Sequence, residues 1–284
     1  VMDFLQLIRH TAAKWRFLKK WYFWVSVALL IAAIALLVAF LNRYRDFEDI
    51  VDDKELNVAT EYSSIGYFVE DGTMKGFQYE LVKRFADQHG LALNITVEDD
   101  LERCIVGVNK GVYDLILRNL PVTVELRRRI AFSDPILTSR LVLVQLSDNV
   151  YNEGVPLRNS LDLDGITVYA VEHSPYLPRL NHIREEIGVE FQVAHINDAD
   201  TELLIAMVSR GEIPYAISDE FTARLCKVYY PEIDISMVLG FQQFQAWGMN
   251  KRASVLQAEI NSWLKEFKQT KDFRDLYRKY YKIK

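Results

Sequence analysis

The sequence has almost no cysteine, no basic excess and no histidine cluster. Its two cysteines, Cys104 and Cys226, lie far apart and form no C-x-x-C. That excludes a disulfide framework and gives zinc or thioredoxin-like sites no support. His10, His89, His173, His182 and His195 share no metal-like spacing, so no cofactor or metal is expected. A formal charge of −5 argues against a nucleic-acid partner, since such chains are normally basic. An apolar fraction of 50% is too high for a disordered chain.

Charge is also missing from one long stretch. Trp21 to Leu41 is 21 residues without an ionisable acid or base. As a helix it reaches about 31 Å, matching a hydrocarbon core of roughly 30 Å. Trp21, Tyr22 and Trp24 stand at one end, where amphipathic rings favour the headgroup zone. Ala33-Ile-Ala35 spells a small-x-small cleavage pattern, but inside the run, which is longer than a signal-peptide core. Arg9, Lys14, Arg16, Lys19 and Lys20 against Asp3 make residues 1–20 +4, leaving −9 for the rest. The expectation is an uncleaved signal anchor crossing a bilayer once, with residues 1–20 cytoplasmic and the acidic body outside. Residues 42–54 read as a charged stalk.

From residue 55 onward strands and helices alternate. Leu56–Ala59 reads as a strand, and Phe77–His89 as a helix with Leu81, Val82, Phe85 and Ala86 on one face. A strand over Leu91–Val97, a helix over Leu101–Val108 and the strand Leu115–Leu117 complete one set. A second set repeats the order at Ile166–Ala170, Tyr176–Ile187, Val189–Val193, Leu203–Val208 and Tyr215–Ile217. Two βαβαβ units predict an α/β fold of two mostly parallel sheets flanked by helices. Residues 55–144 and 241–284 would form lobe 1 and residues 145–240 lobe 2, with Val255–Tyr281 helical. Ligands of such sheets bind beyond the strands' carboxyl ends and between domains. That directs attention to the loops Thr60–Tyr67, Arg118–Thr123, Glu172–Tyr176 and Ser218–Glu220.

Four motifs then carry a resemblance: Gly76-Phe-Gln-Tyr-Glu-Leu81, Gly111-Val-Tyr-Asp-Leu-Ile116, Val122-Thr-Val-Glu125 and Phe132-Ser-Asp-Pro135. Together and in order they resemble the bacterial extracellular solute-binding proteins of family 3, which have a two-lobed, periplasmic-binding-protein-like clamp. Tyr79-Glu-Leu-Val-Lys-Arg-Phe-Ala-Asp87, Ile217-Ser-Asp-Glu220 and Tyr230-Pro-Glu-Ile233 resemble in particular the non-catalytic N-terminal domain of the membrane-bound lytic murein transglycosylase F family. In those enzymes a catalytic domain follows the clamp. This sequence holds no Glu-Ser pair and no Gly-Leu-Met-Gln stretch. The reading is therefore binding without catalysis, of an amino acid, short peptide or cell-wall fragment. A transglycosylase whose catalytic half is not in this chain and a tethered transporter receptor are the alternatives. The implied partners are a small zwitterionic ligand, the lipid bilayer, and a permease or cell-wall enzyme. The implied location is the bacterial inner membrane, with the body in the periplasm or outside.

The resemblance also assigns site residues. Asp219 stands where family members hold the ligand's ammonium, though an aspartate there also caps the helix that follows. The position that usually supplies a carboxylate-binding arginine is Leu126, with Arg127 one residue later. Arg118, beside Asn119 at a strand end, is the substitute, and Thr123 closes the same loop. The aromatic that often covers the ligand corresponds to Ser64, with Tyr62 and Tyr67 near enough to replace it. In lobe 2, Ser174 and Pro175 read as N-cap and N1 of a helix whose start suits an anion. Cys104 and Cys226 fall on apolar helix faces and are expected to be inert core thiols.

Overall fold

The computed structural model describes residues 21–34, 44–147, 156–172, 174–197 and 199–281. The chain divides into two compact units, Val1–Arg43 and Tyr44–Lys284. In the first, residues 21–34 form helix α1, with Trp21, Trp24, Leu29, Leu30, Ile31 and Ile34 exposed. Among the described residues no helix is long and apolar enough to cross a membrane. Residues 35–41 of the apolar run, and residues 1–20, lie outside the described ones.

The second unit opens with α2 (Phe47–Asp53), which the sequence reading placed in a stalk. It is part of the first lobe instead. Ile50 is fully buried in that lobe's core, and Asp46 caps two helices. Asp46 closes a capping box with Asp49 at the start of α2 and accepts from the Leu256 amide at 2.7 Å, in the first turn of α9 (Ser254–Phe267). Seven acidic or basic side chains between residues 45 and 54 disguise one buried isoleucine and two caps.

The chain then runs β1 (Glu55–Thr60), β2 (Phe68–Glu70), β3 (Thr73–Lys75), α3 (Phe77–Gln88), β4 (Ala92–Val97), α4 (Leu101–Asn109), β5 (Leu115–Pro121), α5 (Val124–Arg129), β6 (Ala131–Phe132) and β7 (Leu137–Ser139). β8 (Leu141–Leu146), β9 (Thr167–Tyr169), α6 (Leu177–Ile187), β10 (Gln192–Ala194), α7 (Thr201–Ser209), β11 (Ala216–Asp219), α8 (Glu220–Tyr229) and β12 (Ile233–Asp234) follow. β13 (Gln243–Met249), α9 and α10 (Lys271–Tyr281) complete it.

The first sheet has the order β4-β1-β5-β13-β6, with β7 also on β13. β1 is parallel to β4 and β5, whereas β13 runs antiparallel to β5, β6 and β7. The second has the order β10-β9-β11-β8-β12, and there β8 is the reversed strand. Each sheet is thus mixed by one strand, and each reversed strand directly follows a crossing between lobes. The sequence reading gave residues up to 144 to lobe 1. β8 hydrogen-bonds in the second sheet, so the crossing falls at Arg140.

Period-two alternation builds both lobes as helix–sheet–helix sandwiches. On the first sheet Val58, Leu115, Leu117, Trp247 and Met249 face α3, α9 and α10. Their neighbours Ala59, Ile116, Leu120 and Ala246 face α4 and α5. On the second, Leu141, Leu143, Val168 and Ile217 pack with α6, while Val142, Val144 and Ala216 pack with α7 and α8. The single helix expected over Val255–Tyr281 is two. Thr270 Oγ1 accepts from the Phe273 amide at 3.1 Å and starts α10 afresh, which lets α10 turn back onto α3.

Gly76, the N-cap of α3, has φ of 127°. A Cβ there would lie 2.3 Å from the Gly66 carbonyl oxygen, a backbone atom that has no rotamer to escape into. Gly76→Ala is expected to lose about 2–3 kcal/mol of stability. A urea unfolding midpoint unchanged from wild type would contradict that.

Candidate functional site

β1 ends at Thr60, whose Cα partner on β5 is Leu117. β5 does not stop there, as the sequence reading supposed. Antiparallel pairing of Gln245 with Pro121 and Ala246 with Leu120 extends it to Pro121. Arg118 and Asn119 therefore lie within β5, at the irregularity where its register with β13 shifts between Ala246 and Gly248. They overhang the carboxyl end of β1, where a crevice opens.

Arg118 is only 14% exposed and does not stand alone. Its Nε donates to Glu61 Oε2 at 2.7 Å, a second guanidinium nitrogen also meets Glu61, and Nη1 donates to the Asp99 carbonyl at 3.0 Å. Burial acts to lower its pKa, but the Glu61 carboxylate outweighs it and the guanidinium stays charged. Asn119 sits in a polar relay. Trp247 Nε1 donates to Gln78 Oε1 at 2.5 Å, Gln78 Nε2 to Asn119 Oδ1 at 2.5 Å, and Asn119 Nδ2 to the Tyr281 hydroxyl at 3.3 Å.

Lobe 2 brings Asp219 and Tyr176. Asp219 is the N-cap of α8, accepting on Oδ1 from the Phe221 and Thr222 amides at 3.0 and 3.1 Å. Burial raises its pKa against the pull of those donors, and the Glu61 charge adds to the rise. The Tyr176 and Tyr281 phenols are pushed well above their usual range by burial, then further by the Asp219 and Glu61 carboxylates. The Gln245 side chain of β13 acts the other way on Tyr176, lowering its pKa. Carboxylates from both lobes thus act on the same two phenols, and Tyr281 stacks edge-on to Phe221 of α8 with centroids 4.5 Å apart. Across the lobes, the Ser64 amide and hydroxyl donate to the Glu202 carboxylate of α7 at 2.9 and 2.8 Å.

The structure places the remaining expected residues as follows. Tyr67 packs edge-on against Tyr62 and Tyr79. Thr123 caps α5 through the Leu126 amide at 3.2 Å, and Arg127 is exposed in that helix's last turn. Ser174 is not the N-cap of α6. Pro178 has no amide hydrogen, so a helix begun at Pro175 would lose its first internal hydrogen bond. The start moves to Leu177, with Tyr176 as N-cap and the proline in the first turn. Burial pushes the Cys104 thiol up to about 11 and the Cys226 thiol up to about 12, so both stay protonated.

Several members of the site were missed from sequence. Glu61 follows a strand end directly, and the carboxyl-end rule reaches it. Gln78, Glu202, Gln245 and Tyr281 come from helices and a strand that only the tertiary fold brings to the cleft. A hollow of about 400 Å³ over α4, lined by Val106, Gly107, Val112 and Tyr113 among others, shares no residue with it.

The family model for bacterial extracellular solute-binding proteins, family 3, matches residues 56–283. The chain belongs to that family. Among curated relatives, a membrane-bound lytic murein transglycosylase F from Desulfosudis oleivorans is 28% identical over 90% of this chain and 56% of its own length. The one from Shewanella woodyi is 31% identical over 69% of this chain and 40% of its own. The chain spans about half the length of the curated relatives it matches. Solved structures share the fold of this solute-binding family 3 domain. A mutant of the T. maritima protein ArgBP superposes with a TM-score of 0.70 at 22% identity, over 83% of this chain and 99% of that one. A substrate-binding protein of a Streptococcus pneumoniae uptake transporter, with bound histidine, gives 0.71 at 18% identity, over 84% and 96%.

The Ser64–Glu202 contact is an inter-lobe latch in this geometry. Glu202→Ala is expected to weaken closure in the absence of added solute, raising the radius of gyration seen by X-ray scattering. An unchanged scattering curve would show that the latch does not hold the lobes.

Proposed function

We propose that the protein is a membrane-anchored, extracytoplasmic binding module that takes up an amino acid, short peptide or cell-wall fragment between its lobes and performs no chemistry on it. The observation that carries this reading is that the Asp219 carboxylate of lobe 2 and the Glu61 carboxylate of lobe 1, which holds Arg118, act on each other and on the Tyr176 and Tyr281 phenols. A carboxylate in a shielded cleft suits an ammonium, and a guanidinium suits a carboxylate. The cap bonds of Asp219 fix Oδ1 and orient the carboxylate. The structural neighbours named for bound histidine and for arginine support an amino-acid-sized solute.

The anchor reading rests on the uncharged stretch Trp21–Leu41 and the basic residues before it. The bilayer is then a partner, and the acidic body faces the periplasm or exterior. The names of the curated relatives favour a cell-wall role, in which the whole protein, or one it assists, cleaves peptidoglycan. A thermal-shift screen against amino acids, dipeptides and muropeptides tests the binding reading. Bound solute at 100 times its Kd stabilises by about 2.7 kcal/mol. Release of anhydro-muropeptides from peptidoglycan by this chain would overturn the non-catalytic reading.

A further inference from the structure

The crevice opens at the carboxyl ends of β1 and β5. The opposite edge of the first sheet holds the turn before β5, the end of α5 and the loop after the reversed strand β13. Contacts join these pieces into one surface. Lys251 Nζ donates to the Arg128 carbonyl at 3.1 Å, Asn109 Nδ2 to the Arg129 carbonyl at 3.3 Å, and Asn250 Nδ2 to the Val108 carbonyl at 3.0 Å. The Arg252 guanidinium lies 5.8 Å from the centre of the Tyr44 ring.

This surface is basic on a body that is acidic. Lys110, Arg128, Lys251 and Arg252 are exposed, and none forms an ion pair with a carboxylate among the described residues. Val106 and Val112 stand exposed beside Lys110, over the hollow on α4. The acids nearest Tyr44 are mostly engaged. Asp46 caps α2 and receives the Leu256 amide, Asp49 closes the capping box and Asp53 meets Arg45, which leaves Glu48 and Asp52 to solvent.

Tyr44 is also the residue with which the lobed unit begins. The uncharged run ends at Leu41, three residues before it, and three residues of chain reach at most about 11 Å. With the run across a bilayer, Tyr44 stays within that distance of the hydrocarbon, and Arg252 beside it stays within reach of the headgroups. Anionic headgroups attract cations held this close and repel the acidic remainder, so the field turns the basic edge toward the lipid.

We propose that this edge of lobe 1 docks on the anionic headgroups of the bilayer that holds the anchor, through Lys110, Arg128, Lys251 and Arg252, with Val106 and Val112 at the interface. The cleft, at the far edge of the same sheet, then opens away from the membrane. The docking rests on the anchor in the proposed function and adds to it a face of the folded body and a lipid class.

Full-length protein in lipid nanodiscs tests this with a fluorophore at Val112→Cys, and in a second sample at Val69→Cys, in the β2–β3 hairpin. Cys104 and Cys226 are buried and escape the label. Acrylamide should quench position 112 less in discs containing phosphatidylglycerol than in discs of phosphatidylcholine alone, with position 69 unchanged. High salt should remove the protection. Changing all four cations to glutamine should remove it too, each being worth about fivefold in the ratio of docked to undocked protein. The exchange Lys110→Arg, Arg128→Lys, Lys251→Arg and Arg252→Lys should keep it, which separates charge from fold. Equal quenching at position 112 in both lipids, with the chain retained in the discs, would overturn the docking and leave the anchor standing. Equal protection at position 69 would overturn the orientation, and protection that survives the four glutamines would overturn the role of those residues. A chain that does not stay with the discs would overturn the anchor, and the docking with it.

Discussion

Replacing Arg45 by alanine is expected to cost about 3–5 kcal/mol at neutral pH, the scale for stranding one partner of a buried ion pair. Arg45 Nη1 reaches Asp114 Oδ2 at 2.9 Å, with the two side chains 15% and 1% exposed. The same carboxylate oxygen accepts from the Asn57 amide at 2.8 Å, and Arg45 Nη2 also holds Asp53 and the Glu55 carbonyl. Arg45 therefore pins α2 to the amino end of β1 and to the turn before β5. Burial lifts Asp114 to about 6 even with the Asn57 amide and Arg45 pulling it down. The native state then binds the proton more tightly than the unfolded chain. Stability accordingly falls as pH rises from about 4 to about 6, and the ionised form is tolerated above that because Arg45 is present. Without Arg45 the Asp114 pKa climbs further, so the loss is full at pH 7.5 and shrinks toward pH 5 as Asp114 takes up a proton. Urea unfolding at the two pH values checks this. An equal loss at both would mean that Arg45 acts by packing alone.

Asp219→Ala is expected to weaken solute binding thirtyfold or more, the effect of about 2–5 kcal/mol on a shielded charge contact. It also removes the N-cap of α8, worth about 1 kcal/mol of stability. Asp219→Asn separates the two. Asparagine caps about as well as aspartate, so stability should return while affinity stays low. Recovery of binding by Asp219→Asn would mean that the residue shapes the helix start and does not hold an ammonium. Because burial raises the Asp219 pKa, affinity should fall as pH drops toward that value and the carboxylate is neutralised.

The order of strands and helices in both lobes was legible because apolar periodicity sets it. Leu81, Val82, Phe85 and Ala86 mark α3, and the alternation of Val58 with Ala59 and of Leu115 with Ile116 fills both faces of one sheet. Boundaries were less so where a partner decides them. β5 runs on past Leu117 because β13 pairs with it, and β13 lies more than 120 residues downstream. The start of α6 depends on which proline falls in the first turn. The stalk was misread because a cap and an ion pair leave no hydrophobic stripe.

The site divides in the same way. Asp219, Arg118 and Asn119 follow from strand ends: Asp219 closes β11, and Arg118 and Asn119 lie in β5 beyond the end of its pairing with β1. Thr123, Arg127, Tyr67 and Ser174 came from the resemblance and from cap patterns, and in the structure Thr123 caps α5, Arg127 is exposed, Tyr67 packs on Tyr62 and Tyr79, and Ser174 lies in the turn before α6. Tyr281 carried no signal at all. It reaches the cleft because Thr270 breaks a predicted single helix and sends α10 back across α3, with the Tyr280 hydroxyl on Glu80 at 2.6 Å.

A crystal structure of the protein with the solute that stabilises it most is the direct measurement of whether the cleft is the binding site. The account predicts density for one solute between the lobes, with its ammonium on Asp219 and its carboxylate within hydrogen-bond reach of Arg118. A solute seated elsewhere, with Asp219 and Arg118 keeping the partners described above, would contradict it.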